Sequence, residues 1–129
     1  MRRGVRAWVS KAEADYRVAV RESRVRLRRS HDAVCFHCQQ AVEKYLKAVL
    51  ANASVRIPRT HNLVLIWSLL PPIGSVPETP FPEIARLSIA AVEYRYPGRS
   101  ATARQSREAV AVMKRARQLC RKLLGLPCR

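Results

Sequence analysis

The run from Cys35 to Leu50, CFHCQQAVEKYLKAVL, constrains the fold more than any other part of the chain. Read with a helical period, Val34, Cys35, Phe36, Cys38, Ala41, Val42, Tyr45, Leu46, Val49 and Leu50 cover most of the circumference. A helix of that kind belongs in the middle of a bundle. Its few polar residues are gathered. Gln40, Glu43, Lys44 and Lys47 fall at i, i+3, i+4 and i+7, so they share one stripe. Burying such a stripe unpaired is costly, so it must face a partner, a ligand or a wet groove. The plainer reading is a solvated face with a Glu43–Lys47 pair worth a few tenths of a kcal/mol. The wide apolar surround favours the first reading, because a nearly buried helix exposes few positions.

The other segments supply partners for this helix. Ser10-Lys-Ala-Glu13 has the spacing of a capping box, and the helix after it places Ala12, Tyr16, Ala19 and Ser23 on one stripe. Ser30 can cap the second helix, which runs to about Asn52. Thr60 caps a third, short segment with Leu63, Ile66, Trp67 and Leu70 at helical spacing. Five of the eight prolines crowd into Pro71 to Pro82, which must be a loop. Glu83 to Tyr94 resumes the helical pattern, and Pro97-Gly98 stops it. Thr102-Ala-Arg-Gln105 is a second capping box, and a last helix runs to about Leu124. Nothing shows the two-residue alternation of a strand. The expected fold is all-α, an up-and-down bundle of four to five helices in a single domain over residues 1–129.

Charge bears on partners. With 25 basic and 9 acidic residues the chain carries +16, which favours polyanions: nucleic acid, an acidic protein or an anionic surface. Twenty of the basic residues are arginine, so part of the excess can reflect composition alone. Arg21, Arg24 and Arg28 form one stripe, and Arg107, Lys114, Arg117 and Arg121 another. Neither has the interleaved aromatics of a base-stacking surface, so contact would run through phosphate. The longest apolar stretch, Leu63 to Ile73, is too short to span a bilayer. The chain reads as cytoplasmic with no membrane partner, and its four cysteines as free thiols. Cys35-x2-Cys38 with His31 one turn earlier offers three soft ligands on one helix. Structural zinc needs four, usually from different elements, so no metal and no cofactor are expected.

Asp15 lies beside the apolar stripe of the first helix. It is either a surface acid or an inward one that pairs with Lys44 or Arg95. His61 is expected at the first position of the third helix, satisfying local backbone groups.

With the helices laid out, the chain resembles the HEPN domain family (higher eukaryotes and prokaryotes nucleotide-binding). The matching pieces are Trp8-x6-Asp15, then Cys35-Phe-His-Cys-Gln-Gln-Ala-Val-Glu-Lys-Tyr-Leu-Lys-Ala48, Thr60-His61-Asn62-Leu63 and Tyr94-Arg95-Tyr96-Pro97. They follow the family's order and cover most of the chain, and the second-helix motif is the specific one. The resemblance implies a helical bundle, commonly a homodimer with a groove between protomers that takes nucleotide or RNA. Gln40, Glu43, Lys44, Lys47 and Asp15 would line that groove. Many members act with a minimal nucleotidyltransferase as a toxin–antitoxin pair, others are metal-independent endoribonucleases, and some are structural or scaffolding subunits. Family ribonucleases carry an Arg, four to six intervening residues, and then a His. This chain offers that spacing as Arg56-x4-His61 and Arg24-x6-His31. Arg95 stands where the family's pair usually sits, but Gly98 to Thr102 behind it hold no His. The candidate catalytic residues are therefore Arg56, His61 and Arg95, and the missing His weighs against catalysis.

Overall fold

A computed structural model describes residues 1–72 and 82–129. In order, the helices are α1 (Arg3–Ser23), α2 (His31–Asn52), α3 (Leu63–Ser68), α4 (Pro82–Glu93) and α5 (Ala103–Leu123). All regular structure among the described residues is helical. Of the proline-rich segment read as a loop, residues 73–81 lie outside the described residues, and Pro82 opens α4.

Side-chain pairs fix the topology. Going up α1, the partners on α2 run backwards: Arg2 reaches Ala51, Asn52 and Ser54, Trp8 meets Lys47, and Asp15 meets Lys44 and His37. α1 and α2 are therefore antiparallel. α4 and α5 are antiparallel by the same test, since Arg86 pairs with Glu108 and Glu83 with Arg115. α2 and α5 run the same way, with His31 on Ser106 and Tyr45 on Arg121. The result is an up-and-down bundle.

α2 is its keel. Thirteen of its residues are buried, among them Val34, Cys38, Ala41, Tyr45, Leu46 and Leu50. They pack with Ala12 and Ala19 of α1, Leu63 and Ile66 of α3, Ile84 and Leu87 of α4, and Val112, Met113 and Ala116 of α5. Each fully buried aliphatic side chain contributes about 1.5–3 kcal/mol.

The ends of the helices are set by local chemistry. Ser30 Oγ accepts from the Ala33 amide at the start of α2. At α5, Thr102 and Gln105 make both bonds of a capping box. Gly125 (φ 71°) closes α5 in a Schellman turn, with the Leu126 amide on the Arg121 carbonyl and the Gly125 amide on that of Lys122. Two starts differ from the sequence expectation. α1 begins at Arg3, so Ser10 lies inside a helix rather than capping it. Burial of Val5 and the grip of the Arg2 guanidinium on the C-terminal carbonyls of α2 hold those extra turns. α3 is capped by Asn62, whose Oδ1 accepts from the Val64 and Leu65 amides. Thr60 instead closes a turn onto the Asn62 amide, leaving His61 just outside the helix.

Candidate functional site

The polar face of α2 resolves into two side-chain networks. The first centres on Glu43, whose side chain is only 4% exposed. It accepts from Gln39 Nε2 at 3.1 Å, Lys47 Nζ at 3.1 Å and His61 Nδ1 at 2.9 Å. Lys47 is 8% exposed, and its ammonium lies 5.5 Å from the centroid of the Trp8 ring. Gln39 Nε2 also donates to the His61 carbonyl at 3.0 Å, and Gln40 Nε2 donates to Gln39 Oε1 at 2.7 Å. Both charges are thus taken from water with partners on several sides, the condition under which a buried ion pair is tolerated. His61 itself is 77% exposed and is held at Nδ1 by the buried carboxylate.

The second network centres on Asp15 of α1. Its Oδ1 accepts from His37 Nδ1 at 2.9 Å and its Oδ2 from Lys44 Nζ. His37 is 28% exposed and packs edge-on against Phe36, ring centroids 5.2 Å apart. The guanidinium of Arg95, just beyond α4, lies 5.7 Å from the centre of the Phe36 ring. His37, Phe36, Asp32, Tyr94 and Arg95 line a cavity of about 350 Å³ between α2 and α4. That is within the roughly 300–1,000 Å³ usual for small-ligand sites.

Of the expected site residues, Lys44 meets Asp15 and Lys47 meets Trp8 across the α1–α2 seam, while buried Glu43 turns to His61 beyond α2 and Gln40 to Gln39. Asp15 is the inward acid, paired with Lys44; Arg95 is not its partner. Arg56, His61 and Arg95 line three different depressions. Arg56 stands beside Arg59 and Leu69, His61 in a groove of about 600 Å³ with Ser88 and Ile89, and Arg95 in the α2–α4 cavity. Sequence reasoning passed over His37 and Gln39. Both carried a signal: His37 precedes Gln40 and Lys44 by three and seven residues, and Gln39 precedes Glu43 by four.

A third network uses two arginines of the last helix. Arg117 holds Glu13 through Nε at 2.7 Å and Nη2 at 3.0 Å, and its guanidinium lies 4.3 Å from the Tyr16 ring centroid. Arg121 Nη1 donates to Tyr45 Oη at 3.0 Å, and that hydroxyl donates to Glu13. Burial, then the hydrogen bond to Glu13, pushes Tyr45 up to about 12. Of the basic stripe read on α5, Arg117 and Arg121 are thus buried and face inward.

His31, Cys35 and Cys38 do not converge. His31 Nδ1 bonds Ser106 Oγ at 2.7 Å, while both thiols are buried. No group of three or more His, Cys, Asp or Glu among the described residues could hold a metal ion.

The family model for the HEPN domain matches residues 5–123, which span α1 to the end of α5. The chain belongs to the HEPN domain family. No curated protein and no solved structure matches it. At family level, a HEPN domain is a nucleotide- or RNA-related helical module, and HEPN domains are often dimeric. In this HEPN domain no helix among the described residues is long and apolar enough to cross a membrane.

Proposed function

We propose that this HEPN domain binds nucleotide or RNA as a homodimer, and that it works with a minimal nucleotidyltransferase as the toxin partner of a pair. The observation that carries the binding is the cavity between α2 and α4, lined by an arginine, a histidine and two aromatic rings. Arg95 supplies a phosphate ligand, and Phe36 and Tyr94 supply faces for a base. Lys44 and Gln40 extend the same face along α2, and the net charge of +16 draws a polyanion towards it. Exposed Leu65, Ile89 and Val92 on α3 and α4 support self-association. The domain is read as one unit over residues 1–129.

Binding of labelled single-stranded RNA and of nucleotides across a salt series tests this reading. Affinity is expected to fall steeply with salt, and Arg95→Ala is expected to reduce the slope by about 0.7, the share of one phosphate contact. No binding at low salt overturns the proposal and leaves a structural subunit. Light scattering tests the dimer, and a clean monomer removes it.

RNA cleavage is the second reading. The observation favouring it is the pair of histidines held at Nδ1 by carboxylates, His61 on Glu43 and His37 on Asp15. Incubation of RNA in EDTA with the wild type and with His61→Ala tests whether His61, with Arg56 or Arg95, takes part.

A further inference from the structure

We infer that Asp32 reads the base of a nucleotide in the α2–α4 cavity and selects guanine. The inference rests on the proposed binding of nucleotide or RNA to that cavity and names the base it takes. Asp32 is the second residue of α2 and lies where the start of that helix meets the link into α5. The amide of buried Ala101 donates to its Oδ1 at 2.6 Å and fixes the carboxylate in place. Oδ2 has no hydrogen-bond or ion-pair partner among the described residues, and the side chain lines the cavity. An ionised carboxylate only accepts, so a ligand seated against it must bring donors.

The cation of the cavity is separate. Arg95 lies over the Phe36 ring, 5.7 Å from its centre, and makes no ion pair among the described residues. The acid and the guanidinium line one cavity without pairing with each other, so they act on different parts of a ligand. Phosphate is drawn to Arg95 and repelled by Asp32. That leaves Asp32 the uncharged end of the nucleotide. Stacking on Phe36 or Tyr94 serves any base, so the choice of base falls on the carboxylate.

The Watson–Crick edge makes that choice. Guanine presents two adjacent donors, N1–H and its 2-amino group. Adenine and cytosine each set one amino group beside the lone pair of a ring nitrogen, and uracil sets one N–H between two carbonyls. In all three an acceptor beside the donor faces the carboxylate and is repelled. Guanine alone meets the acid with donors only, and hydrogen bonds to a charged acceptor are the stronger kind. Small side chains, three of them alanine, complete a cavity of about 350 Å³, which leaves room for a purine. The ligand chemistry is a guanine with a phosphate, carried by a free nucleotide or by a single strand of RNA.

Binding of GMP, dGMP, IMP, AMP, CMP and UMP to the full chain is measured by titration calorimetry at low salt. A uridine octamer, and the same octamer with one central guanosine or inosine, are the single-strand probes. GMP is expected to bind at least about 10-fold more tightly than AMP, CMP or UMP if the free nucleotide is the ligand. If the strand is the ligand, the guanosine octamer is expected to exceed the uridine octamer by the same factor. Inosine keeps N1–H and lacks the 2-amino group, so IMP or the inosine octamer is expected to bind about 3- to 10-fold more weakly than its guanine counterpart. Where GMP binds, dGMP is expected to match it, which separates the base from the ribose 2′-hydroxyl as the group that Asp32 holds. Asp32→Asn keeps an oxygen for the Ala101 amide and sets an NH₂ where Oδ2 stood, and is expected to abolish the advantage of guanine over inosine. The comparison of guanine with inosine on the wild type does not depend on how that variant folds. Arg95→Ala is expected to weaken every probe alike and leave their order unchanged. Equal affinity for all bases in both formats, or a guanine preference that survives in a folded Asp32→Asn, overturns the inference and leaves the binding function standing; absence of any binding overturns both.

Discussion

Arg117 on α5 grips Glu13 on α1 with two nitrogens, at 2.7 Å and 3.0 Å, and so ties the last helix to the first. Burial alone would raise the Glu13 carboxyl. Hydrogen bonds from Arg117 and Tyr45, with the charges of Arg117 and Arg121, outweigh burial and hold it below its ordinary value of 4.5. A carboxyl lowered in the folded state stabilises the fold fully above its unfolded value, and that stability is lost as pH falls through the folded value. Glu13→Gln is therefore expected to be less stable than wild type at neutral pH, with the two converging in acid. Arg117→Ala is expected to cost about 2 kcal/mol at pH 7. Urea denaturation at several pH values measures both, and parallel pH curves for wild type and Glu13→Gln would contradict the account.

The Glu43 network makes a sharper demand on stability. Removing the carboxylate leaves Lys47 buried with only the Trp8 ring, so Glu43→Ala is expected to cost about 3 kcal/mol. Adding Lys47→Met removes the stranded charge, and the double variant is expected to be more stable than Glu43→Ala alone. Chemical denaturation of the three variants gives the coupling. A single-variant cost below about 1 kcal/mol is incompatible with a carboxylate buried among three donors.

Thiol reactivity separates the cysteines. Burial, then the nearby charge of Asp32, pushes Cys35 up to about 11, and burial pushes Cys120 up to about 12; Cys38 is raised by the same cause. Only Cys128 is exposed. An aromatic disulfide reagent at neutral pH is expected to modify one thiol in the native protein and all four after unfolding. Rapid native modification of a second thiol would mean that the core around α2 opens readily.

The capping box at α5 provides a local test. Thr102→Ala is expected to lower stability by about 1 kcal/mol. Gln105→Ala is expected to add less on top of it than it costs alone, because each side chain satisfies the amide beside the other. Strict additivity in a thermal or urea double-mutant cycle would show that the two bonds act separately.

Features that depend on neighbours in sequence were legible there. Ser30 and Thr102 cap the helices expected of them, and the apolar breadth of the second helix correctly places it at the centre. Features that depend on distant partners were not. Ser10 has the spacing of a cap, but Arg2 reaches the far end of α2 and extends the helix past it. Thr60 competes with Asn62, whose side chain reaches two amides of α3 and takes the cap. Arg117 and Arg121 have the period of a solvated stripe, yet Glu13 lies on another helix and turns them inward. His37 shows the same limit at the candidate site. Its meaning depends on Asp15 in the preceding helix and on a cavity wall built by α4, neither of which a local motif specifies.

The placement of α2 divides the labour of any future retuning. One side of that helix fills the core and the other carries the polar networks, so an enlargement or reversal of charge at Gln39, Glu43 or Lys47 would disturb packing as well as hydrogen bonding. Arg95, exposed just beyond α4 on the other side of the cavity, carries no such double duty and can change while the keel stays fixed. A chain built this way can acquire a new ligand preference by editing its flanks, and a search for altered selectivity is best directed there.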